Sequence, residues 1–177
     1  MTLADLAEIG ARAGALLVAR GETLAVVDGA TGGLISAGLL AMPGASAFYR
    51  GGGIIYSLKG RRIVLGHEPG SLRGLTSATQ DYALAQAELI ARRYDADWGI
   101  AETGAAGPGR HPLGIASGTS AIGVVGPDGV RAAITVQTGS EDRLSNMTAF
   151  AEAALTLLAR TLARTLALSA APASPAP

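Results

Sequence analysis

Two carboxylates, Asp28 and Glu102, each stand between an apolar run and a glycine-rich segment. In open α/β sheets, ligands gather beyond the carboxyl ends of the strands, so segments 28–33 and 102–109 form the candidate site. Two acids at neighbouring strand ends can work as an acid and base pair, with one pKa raised. The simpler interpretation is that both carboxylates only accept structural hydrogen bonds.

The first segment continues through Thr31, Gly32 and Gly33 into an apolar run typical of a helix. Backbone N–H groups at a helix N-terminus attract phosphate or carboxylate groups, which makes these three residues candidate anion ligands. The alternative is that Thr31 caps the helix and the glycines only permit close packing. Neither segment matches the dinucleotide or P-loop motifs, so neither of these nucleotide-binding classes is supported.

Composition excludes several further chemistries. The chain has no cysteine, which removes disulfides, thiolate metal sites and cysteine nucleophiles. Its two histidines, His67 and His111, are far apart in the sequence, so no metal site and no cofactor is predicted. Fourteen basic residues balance fourteen acidic ones, and this neutrality argues against nucleic acid or an anionic membrane surface as partner.

The 177 residues suit one compact domain, which we expect over residues 1–169. The Ala/Pro-rich segment 170–177 has no apolar periodicity and is predicted to be disordered. Because the sequence shows no signal-peptide pattern and no apolar run of transmembrane length, we expect a cytoplasmic protein.

The elements that must position the site follow from apolar periodicity. Helical spacing predicts helices over 3–19, 34–42, 59–65, 77–93 and about 140–167. Buried or alternating patterns predict strands over 23–27, 51–57, 98–101, 119–125 and 130–137. Ser77 and Gln80 have the spacing of a capping box. Strands interleaved with helices, together with one hairpin, predict an α/β fold, a three-layer α/β/α sandwich on a mixed, mostly parallel sheet.

Several motifs occur in a familiar order along residues 3–166. They are Asp28-Gly29-Ala30-Thr31-Gly32-Gly33, Gly52-Gly53-Ile54-Ile55-Tyr56-Ser57, Leu65-Gly66, Ser77 before a helix, and Thr103-Gly104-Ala105-Ala106-Gly107-Pro108-Gly109. In this order they resemble the CinA C-terminal domain, the nicotinamide-nucleotide amidohydrolase family. The resemblance implies an α/β/α fold, a homo-oligomer such as a dimer, and a pocket for nicotinamide mononucleotide. Active members hydrolyse the amide of that ligand to give nicotinic acid mononucleotide and ammonia.

The resemblance also indicates which residues contact a mononucleotide-like ligand. They are Thr31, Gly32, Gly33, Tyr56, Ser57, Arg61, Thr103, Gly104, Ala106 and Gly107.

The chain departs from the family pattern at the two catalytic positions. Where the family has its nucleophilic serine, this chain has Gly29, and where the family has the lysine base, it has Arg61. A guanidinium keeps its proton up to a pH of about 12 and cannot act as a general base near neutrality. The sequence therefore predicts a binding or assembly module that has lost deamidase activity.

The alternative is an active amidohydrolase that uses neighbouring residues instead. Thr31 carries a hydroxyl in the right segment, and Asp28 or Glu102 could activate a water molecule. Lys59, the only lysine, lies two residues before the family position and should point away from the pocket, since two residues on a helix turn by about 200°. If only the serine and lysine are missing, Gly29→Ser with Arg61→Lys should restore some activity.

Overall fold

A computed structural model describes residues 2–109 and 111–169, so the predicted disorder of 170–177 lies outside the described residues. The helices are α1 Leu3–Arg20, α2 Leu34–Leu40, α3 Leu58–Leu65, α4 Gln80–Arg93 and α5 Arg143–Ser169. The strands are β1 Leu24–Asp28, β2 Tyr49–Ile54, β3 Trp98–Ala105, β4 Thr119–Val125 and β5 Arg131–Gln137. Each predicted helix and strand is present, with ends shifted by up to a few residues.

The five strands form one mixed sheet in the order β2-β1-β3-β4-β5. Strand β1 pairs in parallel with β2 and with β3, whereas β4 runs antiparallel to both β3 and β5. Four strands therefore point the same way and only β4 is reversed, although two of the four pairings are antiparallel. The prediction of a mixed sheet is confirmed.

Helices cover both faces of this sheet because its central strands are apolar on both sides. On β1, Leu24 and Val26 face a core built with α1, α2 and α5, while Ala25 and Val27 face a second core built with α3 and α4. This arrangement gives the three-layer α/β/α sandwich that the sequence predicts.

Local hydrogen bonds explain where two helices begin. At α1, the side chains of Thr2 and Asp5 cap each other's backbone N–H groups. At α4, the predicted cap was wrong: the Thr79 hydroxyl accepts from the N–H of Tyr82, and Ser77 instead bonds Thr103. Helix α4 therefore starts at Gln80, three residues after the predicted start.

Strand β3 extends further than predicted. It continues through Glu102 to Ala105, so the first half of the second glycine-rich segment is strand rather than loop. A Cβ atom at Gly104 would lie 2.7 Å from the carbonyl oxygen of Thr119, so glycine here permits β3 and β4 to approach closely. None of the helices in the described part of the chain is long and apolar enough to span a membrane.

Candidate functional site

A cavity of about 780 Å³ opens beyond the carboxyl ends of β1 and β3, within the size range of small-molecule sites. One end is formed by Gly29 and Glu102, and one wall by side chains from α3 and α4. The segment after β3 forms the opposite side. Residues of both predicted glycine-rich segments lie at this edge of the sheet and line the same cavity.

Gly29 and Glu102 border the cavity and belong to a hydrogen-bonded network, here called the closed end, that also includes Asp28, Thr31 and Ser120. Its centre is the fully buried carboxyl group of Glu102, whose Oε2 accepts from the backbone N–H of Thr31 at 3.0 Å and of Gly29 at 3.2 Å. Its Oε1 accepts a short hydrogen bond from the Ser120 hydroxyl. The carboxyl group therefore has hydrogen-bond partners at both oxygens.

Asp28 likewise has hydrogen-bond partners at both of its carboxylate oxygens. Its Oδ1 accepts from the Thr31 hydroxyl at 2.7 Å and from the N–H of Ile35 at 3.0 Å. Its Oδ2 accepts from both the hydroxyl, at 2.6 Å, and the N–H of Ser36. The first turn of α2 thus donates to this internal carboxylate, and the simpler interpretation of both acids as structural acceptors describes the observed contacts.

Three of the predicted ligand contacts, Thr31, Gly32 and Gly33, are not among the residues that line the cavity. Thr31 is fully buried and its N–H donates to Glu102, while the N–H of Gly32 donates to the carbonyl of Gly29. The N–H groups of Thr31 and Gly32 are thus already bonded to oxygens of the protein itself. Their role as anion ligands stays a prediction.

Gly29 occupies a position with no room for a side chain. A Cβ atom there would lie 2.4 Å from the carbonyl oxygen of Glu102 and 3.2 Å from its Oε2. Contacts below 3.0 Å to backbone require the strand to move. The approach of β3 to the segment after β1 therefore leaves no room for a Cβ atom at Gly29 unless one of the two shifts.

Burial raises the pKa of Glu102, and the nearby carboxylate of Asp28 raises it further. Hydrogen bonds from Ser120 and Thr31 act in the opposite direction, but desolvation is the larger effect. Burial in the closed end therefore disfavours the ionised form of Glu102 relative to an exposed glutamate.

The open wall consists of Arg61 on α3 with Tyr82 and Gln86 on α4. Arg61 Nη1 donates to the Tyr82 hydroxyl at 2.5 Å, and the guanidinium carbon lies 5.7 Å from the centre of the Tyr82 ring. Gln86 follows one helical turn after Tyr82 and is 2% exposed. All three side chains line the cavity.

Helix α5 holds the segment after β3 in place. Arg143 Nη1 donates to the carbonyl of Gly107 at 2.7 Å, and the buried Asn146 amide donates to the carbonyl of Ala106 at 2.9 Å. Asn146 also donates to Ser140 and accepts a short bond from Thr138. The backbone that borders the cavity is thus fixed by a helix more than thirty residues further along the chain.

Most of the predicted ligand contacts do reach the cavity. Those that line it are Tyr56, Ser57, Arg61, Thr103, Gly104, Ala106 and Gly107. Glu102 and Gly29 line it as well, whereas Asp28 lies behind them. Lys59 is exposed and does not line the cavity, in agreement with the helical rotation predicted for it.

Tyr82, Gln86 and Arg143 line the cavity but were not predicted from the sequence. The sequence does contain features that could have indicated two of these residues. Gln86 is a polar residue on the otherwise apolar, buried face of α4, and Arg143 is a cation at a helix N-terminus, where the helix dipole disfavours positive charge. Among the described residues no group of three or more histidines or acids could hold a metal ion.

Comparison with known proteins places this architecture in a family. Residues 6–162 match the family model of the CinA C-terminal domain. A CinA-like protein from Gloeobacter violaceus is 33% identical over 142 residues, which is 78% of this chain and 32% of the relative. One from Synechocystis is 38% identical over 126 residues, 71% of this chain and 30% of the relative. The chain thus spans about a third of the length of these curated relatives.

Solved structures agree with this assignment. The competence/damage inducible protein CihA from Agrobacterium tumefaciens superimposes with a TM-score of 0.80 at 25% identity, covering 89% of this chain and 95% of that one. A CinA superfamily protein from Klebsiella pneumoniae gives the same TM-score and identity over 90% and 98%. The predicted dimer and cytoplasmic location stay predictions. By sequence and by fold, the chain belongs to the family of CinA C-terminal domains.

Proposed function

We propose that this chain is a binding module that holds a mononucleotide-like anion in the cavity without hydrolysing it. The observation that carries the proposal is the geometry at Gly29, where β3 leaves no space for the side chain of a nucleophile. The hydroxyl of Thr31, in the same segment, is fully buried and bonded to Asp28. A covalent mechanism therefore has no available attacking oxygen among these side chains.

The residue at the family's base position supports the same proposal. Arg61 cannot release its proton near neutral pH, and it donates to Tyr82. A guanidinium fixed in this way is suited to binding an anion through directed hydrogen bonds rather than to proton transfer.

The charge of the cavity favours an anionic ligand. Two permanent cations, Arg61 and Arg143, line it. The carboxyl group that lines it, Glu102, has a raised pKa and so carries less negative charge than an exposed glutamate. The net positive potential favours a phosphate or a similar group.

The second candidate function is hydrolysis by a water molecule that Glu102 activates. It is favoured by one observation, the raised pKa of a buried carboxyl group that borders the cavity. This mechanism requires Glu102 to accept a proton from water while its oxygens already accept bonds from Ser120, Thr31 and Gly29. The saturated hydrogen bonding makes it the weaker proposal.

Two measurements on the same sample test the proposal. Calorimetry with nicotinamide mononucleotide should show binding, and an ammonia assay of the same mixture should show no release above the protein-free rate. Arg61→Gln should weaken binding about tenfold, since a charge-assisted hydrogen bond is lost. Arg62→Gln, at an exposed neighbour on α3, is the matched control and should leave it unchanged.

Three results would contradict parts of this account. Ammonia release abolished by Glu102→Gln would establish the water mechanism instead. Release abolished by Thr31→Ala but not by Glu102→Gln would show that the threonine is the nucleophile. Absence of any binding would overturn the proposal itself.

A further inference from the structure

Strand β5 forms one edge of the sheet and has few of the features that protect a sheet edge. It pairs with β4 in unbroken register, so it has no bulge, and it contains neither proline nor glycine. Its only charged residue, Arg131, is paired with Glu88 on α4. Natural proteins usually blunt an exposed edge with a bulge, a proline or free charges, because the unpaired backbone would otherwise bind another strand.

The opposite edge of the sheet, β2, is protected. Its register with β1 shifts beside Arg50, where β2 has one extra residue. The ring of Tyr94 lies so close to β2 that a Cβ atom at Gly51 would meet it at 2.4 Å, and the Tyr94 hydroxyl donates to the carbonyl of Gly52 at 3.3 Å. A bulge and a covering ring both hinder the addition of a strand. The two edges therefore differ, and β5 is the one suited to pairing.

The hydrogen bonds at the two ends of β5 show which of its backbone groups point outward. The N–H of Gly126 donates to the carbonyl of Val130, and the N–H of Thr138 donates to the carbonyl of Gly118. Both bonds join even-numbered residues of the β4 and β5 register, in which bonded and non-bonded pairs alternate. The residues of β5 whose backbone points away from β4 are therefore the odd-numbered ones: Arg131, Ala133, Thr135 and Gln137.

The side chains of β5 alternate between the two faces of the sheet. Those of Arg131 and Thr135 contact α4, whereas those of Ile134 and Val136 pack against the core that includes α5. Ile134 and Val136 are only partly buried, although they belong to this core. A strand added beside β5 would extend the core and cover their remaining apolar surface.

We propose that β5 pairs with β5 of a second copy of this chain, antiparallel and about a two-fold axis at Ile134. In this register Arg131 pairs with Gln137 of the second copy, and Ala133 pairs with Thr135. All four outward residues then exchange hydrogen bonds, roughly eight in total at two for each pair. An axis at the residue on either side of Ile134 would pair one of the four with a residue outside the strand, so this register uses the edge most completely.

The side chains that this register brings together fit a second copy of the same chain. Ile134 faces Ile134 of the second copy in a non-hydrogen-bonded pair, where side chains approach most closely, and Ala132 faces Val136. On the other face, the neutral Gln137 stands opposite Arg131, so the two strands oppose no like charges. No residue of β5 lines the cavity, and the inference does not depend on the proposed function.

Single cysteine substitutions test the register directly, because the chain contains no cysteine. The Cα atoms of the two copies of Ile134 would lie about 4.5 Å apart, within the range that a disulfide bridges, so Ile134→Cys should cross-link into a dimer under mild oxidation. Ala132→Cys, on the same face, is the matched control. Its two copies would stand about 14 Å apart along the strands and should not cross-link. A mixture of Ala132→Cys with Val136→Cys should cross-link again, because these two positions face each other.

Analytical ultracentrifugation of the full chain tests the pairing without added cysteine. The wild type should sediment as a dimer, and Ala133→Pro should weaken the dimer about tenfold or more. Proline removes an outward N–H donor from each copy, whereas an edge strand tolerates it where that N–H faces solvent. Ala133→Val keeps the donor and should leave the dimer unchanged. Circular dichroism checks that each variant is folded.

Two results would overturn the inference. One is a wild type that stays monomeric at high micromolar concentration. The other is a dimer that Ala133→Pro does not weaken and Ile134→Cys does not cross-link, since that dimer would use another surface. Equal cross-linking of Ala132→Cys and Ile134→Cys would contradict the register. If Ala133→Pro fails to fold, the cysteine variants decide the question on their own.

Discussion

The two sides of the cavity differ in how their polar groups are satisfied. At the closed end, the oxygens of Asp28 and Glu102 accept bonds from backbone and hydroxyl donors of the chain itself. At the open wall, Arg61 and Gln86 each keep one buried atom unpaired. Satisfied polar groups stabilise the fold, whereas buried unsatisfied ones cost stability.

The motifs alone suggest the opposite roles for these two regions. The motif that begins at Asp28 is the one in which the related family is expected to place its nucleophile, but here that segment is an internal network. Arg61, Tyr82 and Gln86, which line the cavity, lie instead on α3 and α4. We therefore expect substitutions at the closed end to change the free energy of unfolding, and substitutions at the open wall to change binding.

The largest effect should follow Glu102→Ala. The change leaves the N–H groups of Gly29 and Thr31 without their acceptor and opens a void, so we expect a loss of about 3–5 kcal/mol in the free energy of unfolding. Urea denaturation measures it. Glu88→Ala, which breaks only the exposed ion pair with Arg131, should cost less than about 1 kcal/mol. Equal small losses for both variants would show that the closed end does not stabilise the fold.

A smaller but still clear effect should follow Gly29→Ser combined with Arg61→Lys. The sequence alone predicts that this pair restores deamidase activity. The structure predicts the opposite, because the new Cβ would meet the Glu102 carbonyl at 2.4 Å and overpacking of this kind costs about 1–3 kcal/mol. We expect a lower melting temperature and no ammonia release.

Gly60→Ser is the control for that variant. Its nearest neighbour is the flexible hydroxyl of Ser57 at 3.3 Å, and its φ is not positive, so it should be tolerated. Ammonia release by a stable Gly29→Ser/Arg61→Lys double variant would show that only the two catalytic side chains had been lost and that β3 can move aside.

The elements of the fold could be predicted because their signals are local. The apolar run at 23–27 and the helical spacing at 3–19 each depend on neighbours within a few residues, and both elements are found within one residue of the predicted ends. The end of β3 was missed because glycine at 104 is typical of loops, whereas here it serves the contact with Thr119, which lies in another strand.

The site was predictable only in part, for the same reason. Tyr56, Ser57 and Arg61 were placed by the family pattern and do line the cavity. The absence of space at Gly29 depends on how closely β3 approaches β1, and the unpaired state of Gln86 depends on what α3 and α4 bring beside it. Neither property is encoded in residue type or spacing.

Glu102 should change how the free energy of unfolding depends on pH. Because its pKa is raised in the folded chain, the stability it contributes is present below the ordinary glutamate pKa of about 4.3 and is lost as the pH rises through the raised value. The free energy of unfolding of the wild type, minus that of Glu102→Gln, should therefore fall as the pH rises above about 4. A difference that stays flat or rises with pH would show that Glu102 is ionised in the folded protein.

The smallest effect on stability should follow Gln86→Leu. Removing an unpaired buried carbonyl costs no hydrogen bond, so we expect the free energy of unfolding to stay within about 1 kcal/mol of the wild type or to increase. Thermal denaturation without ligand measures it. A loss as large as that of Glu102→Ala would show that Gln86 has an internal partner and belongs with the closed end.

A crystal structure of the full chain with nicotinamide mononucleotide tests the central claim most directly. The account predicts an intact ligand in the cavity and an unchanged closed end. A cleaved ligand, or an amide seated at Gly29 with Glu102 displaced, would contradict it.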